Sequence, residues 1–361
     1  KGIEDAFNSS FPVSSKKQEL KDVYAIKSYK PINPNEESHE LRYVDAIKES
    51  LYQSMKRDDK IILMGQDIAE YGGVFKITEG FVDDFGKERV RNTPIIESGV
   101  IGAALGLSIE GFKPIVEMQF ADFISCGINQ VINNLAKTHY RWGQPVNVTL
   151  RMPTGGGVSA GPFHSQNLES LFMHIPGLKI VYPSCPYDAK GLLASSINDP
   201  NPILFFEHKL LYRTQKTNVP KKEYTLEIGK GRIIQKGEDL TVVTYGLSTI
   251  WLKEILEELK EQNISIELID LRSLMPWDKS LVYESIRKTN KVLIVHEANQ
   301  TGGVGAEISA SISNDLFEYL DAPVERLGSI DIPTPFNNEL EQEIFWPKNE
   351  IVDTIKKLIK Y

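Results

Sequence analysis

Two series of alternating strand-like and helix-like segments constrain the fold of this chain more than any other feature of its sequence. In the first series, apolar residues recur at spacings of three and four from Val44 to Met55, which predicts a helix with one buried stripe. Short apolar runs predict strands at 61–64, 114–118, 146–150, 179–182 and 203–206, with helical patterns between them. Such alternation is typical of a mainly parallel sheet with helices on both faces.

The second series is shorter and predicts a second α/β domain. Its strands are expected at 240–245, 266–271 and 291–296, and its helices at 250–261, 278–288 and 304–317. A chain of 361 residues exceeds what one hydrophobic core usually supports, so two domains are expected. We therefore expect an N-terminal arm at 1–40 that is irregular from residue 8 onward, a first domain at 41–212, a linker at 213–229 and a second domain at 230–361.

Composition and charge argue against several classes of function. No apolar run has the length that a membrane-spanning helix needs, so we expect no membrane insertion. The formal net charge of -8 argues against a nucleic-acid partner, because such partners require clustered Lys and Arg. Cys126 and Cys185 lie far apart, which argues against a disulfide framework or a zinc ribbon. The chain begins at Lys1 without Met, and we expect it to be part of a longer polypeptide.

The segment 92–99 precedes a helix rich in small residues and carries the first candidate for chemistry. Glu97 is expected in the first turn of that helix, where the helix dipole favours a carboxylate whatever its function. Gly102, Ala103 and Gly106 leave room for the close approach of a backbone or a flat ligand. In that setting Glu97 could hydrogen-bond a ring nitrogen of a heterocycle.

The segment 117–123 follows a predicted strand, at the sheet edge where open α/β sheets place their ligands. Phe123 could stack on an aromatic ring, and Gln119 could reach the same ring. The alternative is that Phe120 and Phe123 are ordinary core residues.

A glycine-rich loop at 153–166 is the third candidate. Its three successive glycines, Gly155, Gly156 and Gly157, permit backbone conformations and close approaches that side chains forbid. His164 could act there as an acid, a base or the partner of an anion near neutral pH. The loop lacks the spacing of a nucleotide-phosphate loop. The alternative to a functional role is that its glycines serve only to turn the chain.

The fourth candidate, at 296–305, contains several glycines between a predicted strand and a predicted helix. Its glycines do not have the GxGxxG spacing, so we reject a dinucleotide site there.

In this order, the four segments resemble those of the beta subunits of 2-oxo acid dehydrogenases, within the transketolase-like thiamine diphosphate superfamily. The resemblance runs from about residue 41 to residue 361. The matching motifs are at 72–75, 92–99, 119–123, 163–166, 205–207, 211–213, 269–272 and 275–278. Four short stretches are more similar in sequence to branched-chain than to pyruvate dehydrogenases, at Phe75, 119–122, 175–177 and 296–298. Residues 1–25 resemble the tail of the family's alpha subunit, as in a fused alpha-beta chain.

The resemblance implies a fold of two three-layer α/β/α domains, a transketolase-like pyrimidine-binding domain followed by a transketolase C-terminal-like domain. It implies that Glu97 hydrogen-bonds the aminopyrimidine ring of thiamine diphosphate and supplies the acid that activates the coenzyme. Ile95, Gln119 and Phe123 would line the pyrimidine pocket. His164 would assist acyl transfer to a lipoyl group.

The resemblance also implies a potassium-binding turn formed by Ser196, Asp199 and Asn201, whose oxygen atoms suit a hard cation. Two positions depart from the family. Gln66 stands where many members have Glu, which puts in doubt any proton relay between paired sites. Phe123 stands where some branched-chain enzymes have Tyr, which weakens the choice of substrate.

A Gly-Asp-Gly motif, which holds magnesium diphosphate in the superfamily, does not occur in this sequence. The resemblance therefore implies half of an enzyme, inactive without an alpha-type half that supplies the magnesium site. That enzyme would decarboxylate a 2-oxo acid, of the branched-chain class, and acylate a lipoyl domain. Its other partners would be a second beta-type chain and a lipoyl acyltransferase core, in the bacterial cytoplasm or the mitochondrial matrix of a eukaryote. The alternatives are a pyruvate or acetoin dehydrogenase beta subunit and a non-catalytic assembly module.

Overall fold

The computed structural model describes residues 1–361 except 12, 14, 28 and 29, all of which fall in the predicted arm. The strands, numbered in chain order, are β1 (Ser38–Arg42), β2 (Ile61–Gly65), β3 (Val90–Asn92), β4 (Lys113–Glu117), β5 (Thr149–Thr154), β6 (Lys179–Val181), β7 (Ile203–His208), β8 (Lys216–Pro220), β9 (Arg232–Gln235), β10 (Leu240–Thr244), β11 (Ile266–Asp270), β12 (Ser273–Met275), β13 (Val292–Asn299) and β14 (Glu325–Ser329).

Helices connect most of these strands. They are α1 (Gly2–Asn8), α2 (Lys16–Asp22), α3 (Tyr43–Arg57), α4 (Phe81–Phe85), α5 (Glu97–Ile109), α6 (Ala136–Trp142), α7 (Glu169–Met173), α8 (Pro186–Asn198), α9 (Leu211–Thr214), α10 (Ser248–Glu261), α11 (Lys279–Thr289), α12 (Val304–Asp315), α13 (Asn338–Leu340) and α14 (Ile351–Ile359). Short 3-10 or π-helical segments occur at Ala121–Gly127, Gln130–Leu135, Phe317–Tyr319, Glu341–Phe345 and Pro347–Glu350.

The first sheet has seven strands in the order β12-β6-β7-β5-β4-β2-β3. Its strands are parallel except β12, which comes from the second half of the chain and pairs antiparallel with β6. All residues of β2, β5 and β7 are buried, as expected for parallel strands covered on both faces. The predicted stripe of α3 is also buried, and this helix packs on α8.

The second sheet has five strands in the order β14-β13-β10-β11-β9, parallel except for β9 at one edge. The architecture is therefore the predicted one, two α/β domains in sequence. Because β12 joins the sheet of the first domain, the two domains interlock.

The arm and the predicted linker contain more regular structure than the sequence analysis expects. Within the arm, α1 and α2 are short helices with no buried residue. At its end, β1 pairs antiparallel with β8 of the linker, from Ser38 opposite Pro220 to Arg42 opposite Lys216. The expectation of irregular structure from residue 8 onward is therefore wrong for α2 and the start of β1, because segments of five to seven residues are too short to show a periodic pattern.

No helix in the described part of the chain is both long and apolar enough to cross a membrane.

Candidate functional site

The carboxyl ends of β3, β2, β4 and β5 lie side by side along one edge of the first sheet. Gly65 at the end of β2 is opposite Asn92 of β3 on one side and Glu117 of β4 on the other. The chain continues from β2 to β3 in one direction and from β4 to β5 in the other. The carboxyl ends of the neighbouring strands β2 and β4 therefore form a topological switch point, where sheets of this kind place ligands.

Glu97 lies at this switch point as the first residue of α5. The Gln66 side chain, just beyond β2, donates a hydrogen bond from Nε2 to Glu97 Oε1 over 3.2 Å. The Thr93 amide donates to the Gly65 carbonyl over 2.9 Å, which fixes the segment before the helix against β2. Glu97 is half-buried, and its second carboxylate oxygen accepts no hydrogen bond from the described residues. An acceptor is therefore free for a ligand at the start of a helix.

The other predicted pocket residues surround the same edge. Gln119 and Phe123 are half-buried and follow β4 directly, and Phe123 lies in the 3-10 segment Ala121–Gly127. That segment packs on the first turn of α5, so closely that a Cβ on Gly127 would lie 3.5 Å from the Glu97 carbonyl carbon. Ile95 is 82% exposed. The structure brings Glu97 and the Phe123 segment together and leaves Ile95 at the open side.

His164 lies against two aromatic rings that follow β4. Its ring centroid is 4.8 Å from that of Phe120 and 5.5 Å from that of Phe123, with both pairs nearly perpendicular. His164 is half-buried. The prediction that these segments share one site agrees with this contact, but the roles of the individual side chains stay predictions.

The glycine-rich loop that leads to His164 is bonded to the second domain. The Gly156 amide donates to Glu297 Oε1 over 2.7 Å, and the Gly157 amide donates to Glu341 Oε1 over 2.9 Å. Glu297 also pairs with His208 Nε2 at 2.6 Å. Although burial raises the pKa of the Glu297 carboxyl, the His208 ring and the Gly156 amide bring it below its ordinary value.

Lys209 is a residue that the sequence analysis missed. It is buried directly after β7 and donates from Nζ to the Gly155 carbonyl over 2.5 Å. Burial lowers the pKa of Lys209 to about 8, although the carboxylates of Asp122, Glu297 and Glu341 oppose that shift. A lysine directly after a buried strand at the ligand edge is the sequence signal that could have identified it.

A buried ion network lies beneath the switch point and also escaped the sequence analysis. Arg151 of β5 makes two hydrogen bonds of 2.7 Å to the Glu207 carboxylate and a third to Glu117. The Tyr212 hydroxyl donates to the same Glu207 carboxylate over 2.7 Å. Burial alone would lower the pKa of Arg151, but the two carboxylates raise it, so the guanidinium stays charged. Because each group in the network has a partner, the network gives rigid support to the residues that follow β4.

The glycines of the fourth candidate segment have a packing role. A Cβ on Gly303 would lie 2.6 Å from Cε1 of the buried His296, and one on Gly305 would lie 2.8 Å from its Nε2. Burial lowers the pKa of His296 to about 4, so the ring is neutral at physiological pH. These glycines give the ring space at the start of α12.

The predicted potassium ligands lie in one buried turn, but their side chains are already bonded. Asp199 pairs with Lys179 at 2.7 Å and accepts from the Asn201 amide group at 2.8 Å. Asn201 also bonds both backbone groups of Ala25 in the arm, over 2.7 and 3.0 Å. Ser196 donates to a backbone carbonyl of its own helix. These side chains do not fit a potassium ion without giving up bonds, so the site stays a prediction.

Comparison with protein families places this architecture among known domains. Residues 39–215 match the transketolase pyrimidine binding domain, and residues 229–351 match the transketolase C-terminal domain. A solved structure described as a split gene transketolase, inactive beta4 tetramer, superposes with a TM-score of 0.73 over 89% of this chain and 98% of that one. Its sequence identity of 21% shows the fold alone.

Relatives with clear sequence similarity cover the chain. The 2-oxoisovalerate dehydrogenase subunit beta of Bacillus subtilis is 42% identical over 89% of this chain and 99% of its own length. The mitochondrial 2-oxoisovalerate dehydrogenase subunit beta 2 of Arabidopsis thaliana is 39% identical over 98% of this chain and 97% of its own length. The pyruvate dehydrogenase E1 component subunit beta of Staphylococcus aureus is 38% identical over 89% of this chain and 99% of its own length. The chain therefore belongs to the family of 2-oxo acid dehydrogenase beta subunits, built on the transketolase pyrimidine-binding and C-terminal domains.

Proposed function

We propose that this chain is the beta-type half of a thiamine-diphosphate-dependent enzyme that decarboxylates a 2-oxo acid and transfers its acyl group to a lipoyl domain. The observation that carries the proposal is the arrangement at the switch point. Glu97 has a free acceptor beside Gln66, and His164 stands on the aromatic residues that follow the neighbouring strand. The relatives named above are subunits of enzymes for 2-oxo acids.

The residues at this edge fit the pyrimidine ring of thiamine diphosphate. A half-buried carboxylate with an open oxygen suits a ring nitrogen, which it can hold by a shared proton. Gln119 and Phe123 would contact the ring edge and face, and Ile95 would cover its open side. When bound, the cofactor supplies a nucleophilic carbon that attacks the oxo acid and stabilises the negative charge left by decarboxylation.

The diphosphate and magnesium would be held by an alpha-type half. The sequence contains no Gly-Asp-Gly motif, and the described residues include no group of three or more His, Cys, Asp or Glu side chains that could hold a metal. We therefore propose that the chain alone is inactive and binds the cofactor poorly.

His164 would act in the transfer to lipoyl. In that step the carbon derived from the oxo acid is oxidised to the acyl level and the lipoyl disulfide is reduced. One sulfur takes the acyl group, and the other leaves as a thiolate that needs a proton. The half-buried His164 side chain would donate it, since an imidazole can serve as a general acid.

Exposed apolar groups near this edge support a partner subunit. Ile95, Ile96, Phe163 and Phe336 are between 52% and 82% exposed. Gly99, Ala103 and Gly106 form an exposed stripe along α5, which would allow close packing of another helix. We assign these surfaces to the alpha-type half and a second beta-type chain, and propose that the assembly also binds a lipoyl acyltransferase core. The assembly would reside in the bacterial cytoplasm or the mitochondrial matrix.

We propose a branched-chain 2-oxo acid as the substrate, since the Bacillus 2-oxoisovalerate relative is 42% identical and the Staphylococcus pyruvate relative 38%. Activity of the assembly with its alpha-type half should be measured on 3-methyl-2-oxobutanoate and on pyruvate. We expect the larger kcat/KM for 3-methyl-2-oxobutanoate. A preference for pyruvate would contradict the choice of substrate, and no turnover of either would contradict the proposed function.

A further inference from the structure

The loop before His164 is fastened at several successive positions. Besides the amides of Gly156 and Gly157, the Thr154 hydroxyl donates to the Gln166 carbonyl over 2.8 Å. At the far end, the Gln166 amide donates to Asp122 Oδ1 over 3.1 Å. His164 therefore lies in a loop that is bonded on both sides of it.

The three glycines are required by this fastening. A Cβ on Gly155 would lie 2.0 Å from His208 Nε2, and one on Gly156 would lie 1.8 Å from Glu341 Oε1. Gly155 and Gly157 also have φ of 80° and 78°, where side chains are disfavoured. The backbone thus lies against the His208 ring at Gly155 and against the Glu341 carboxylate at Gly156. These contacts account for the glycines without a ligand.

Lys209 holds the opposite side of the same backbone. Its ammonium donates to the Gly155 carbonyl and stands 5.7 Å from the centre of the Phe120 ring, on which His164 packs. The charged groups that face it are the carboxylates of Asp122, Glu297 and Glu341. Without the ammonium, these buried carboxylates would repel one another with less compensation, which favours opening of the loop.

We propose that Lys209, Glu297 and Glu341 form a clasp between the two domains that positions His164 for acyl transfer. The two glutamates hold amides of the loop and the lysine holds the preceding carbonyl, so the backbone is fixed from both sides. Lys209, Glu297 and Glu341 are positioning residues, and the second domain contributes to the step through the two glutamates. This inference rests on the proposed role of His164.

Hydrogen exchange of the full chain tests the hold on the loop directly. Lys209→Met and Glu341→Leu should each accelerate exchange in a peptide covering residues 154–166 by about tenfold to a hundredfold, the loss of one charge-assisted hydrogen bond. Glu341→Gln keeps an acceptor for the Gly157 amide and should stay close to the unmodified chain. Lys216→Met and Glu343→Gln, at exposed positions, are the matched controls. Unchanged exchange in both Lys209→Met and Glu341→Leu would overturn the clasp.

The partial reactions of the assembly with its alpha-type half test the positioning. Decarboxylation would be followed with an artificial electron acceptor, and acyl transfer with a free lipoyl domain. Lys209→Met and Glu341→Leu should lower acyl transfer by about tenfold to a hundredfold and decarboxylation by less than about threefold, with Glu341→Gln restoring transfer. Equal loss of both reactions would overturn the assignment to acyl transfer.

The two measurements separate this inference from the proposed function. If the unmodified assembly does not acylate lipoyl, the proposed function fails, whereas hydrogen exchange still decides whether the clasp holds the loop. If Lys209→Met does not fold, the comparison of Glu341→Leu with Glu341→Gln decides both points.

Discussion

Glu97 and the 155–157 loop lie at the same edge of the first sheet, but this chain buries their carboxylate groups to different degrees. Glu97 has one hydrogen bond within the described chain, and Ile95 beside it is 82% exposed. In the loop, both carboxylates that receive amides are at most 4% exposed and belong to the second domain. This chain itself supplies the acceptors for the loop amides, whereas under the proposed function the open Glu97 side is completed by a cofactor and a partner.

Glu97→Ala tests the open side and should have the largest effect. We expect the activity of the assembly to fall by about a hundredfold to ten-thousandfold, because the substitution removes the acid that activates the cofactor. The free energy of unfolding should change by less than about 0.5 kcal/mol, because Glu97 is half-buried and has one hydrogen bond. Glu110→Ala, at the exposed other end of α5, is the matched control. An undiminished rate with Glu97→Ala would refute the catalytic role.

Glu297→Ala tests the side of the 155–157 loop, and its main effect should be a lower free energy of unfolding. It leaves His208 and the Gly156 amide buried without their partner, so we expect a loss of about 3–5 kcal/mol in the free energy of unfolding. Urea denaturation of the full chain measures this, with Glu318→Ala as an exposed control. A change as small as that of the control would show that the loop is not held through Glu297.

Glu169→Gln tests the domain contact through pH. Burial raises the pKa of Glu169 to about 7, and Tyr245 of the second domain donates to it over 2.8 Å. The folded state thus binds this proton more tightly than the unfolded state, and the stability of the unmodified chain falls as pH rises through 4.5 to 7. Glu169→Gln should remove that loss and stabilise the chain at pH 8 by about 1–3 kcal/mol, with no gain at pH 4. Denaturation curves at both pH values would show an equal gain if this account were wrong.

Gln66→Glu sharpens the comparison at the open side with the smallest expected effect. It would place a second carboxyl group at 3.2 Å from Glu97 Oε1, where two negative charges repel. We expect a loss of about tenfold in kcat/KM above neutral pH, with recovery at lower pH as the pair takes up a proton. Gln66→Ala, which removes the donor without adding charge, should show a loss that does not depend on pH in this way. A pH-independent loss in both variants would argue for a role of Gln66 in packing alone.

Much of the fold follows from the sequence because periodicity is a local property. The helix α3 and the strands β2, β10 and β11 lie where apolar spacing predicts them. Two short edge strands could not be predicted in the same way. β12 has three residues and joins the sheet of the other domain. β1 is stabilised by β8, a strand distant in sequence, in a pairing that no local pattern encodes.

The candidate site divides along the same line. Glu97, Phe123 and His164 each occur in a recognisable segment at the end of a strand or the start of a helix, so their shared edge could be predicted. The roles of Lys209 and Glu341 could not be predicted, because they depend on burial and on partners distant in sequence. The sequence identifies the triple glycine as unusual, but the side chains that require it, among them His208 and Glu341, are contacts distant in sequence.

The most direct test of the account is binding and turnover by the purified chain with and without its alpha-type half. Thiamine diphosphate binding would be measured by calorimetry, and decarboxylation of 3-methyl-2-oxobutanoate by product release. The account predicts weak cofactor binding and no turnover for the chain alone, and both properties restored when the alpha-type half is added. Turnover by the chain alone would contradict the claim that its Glu97 side is completed by a partner.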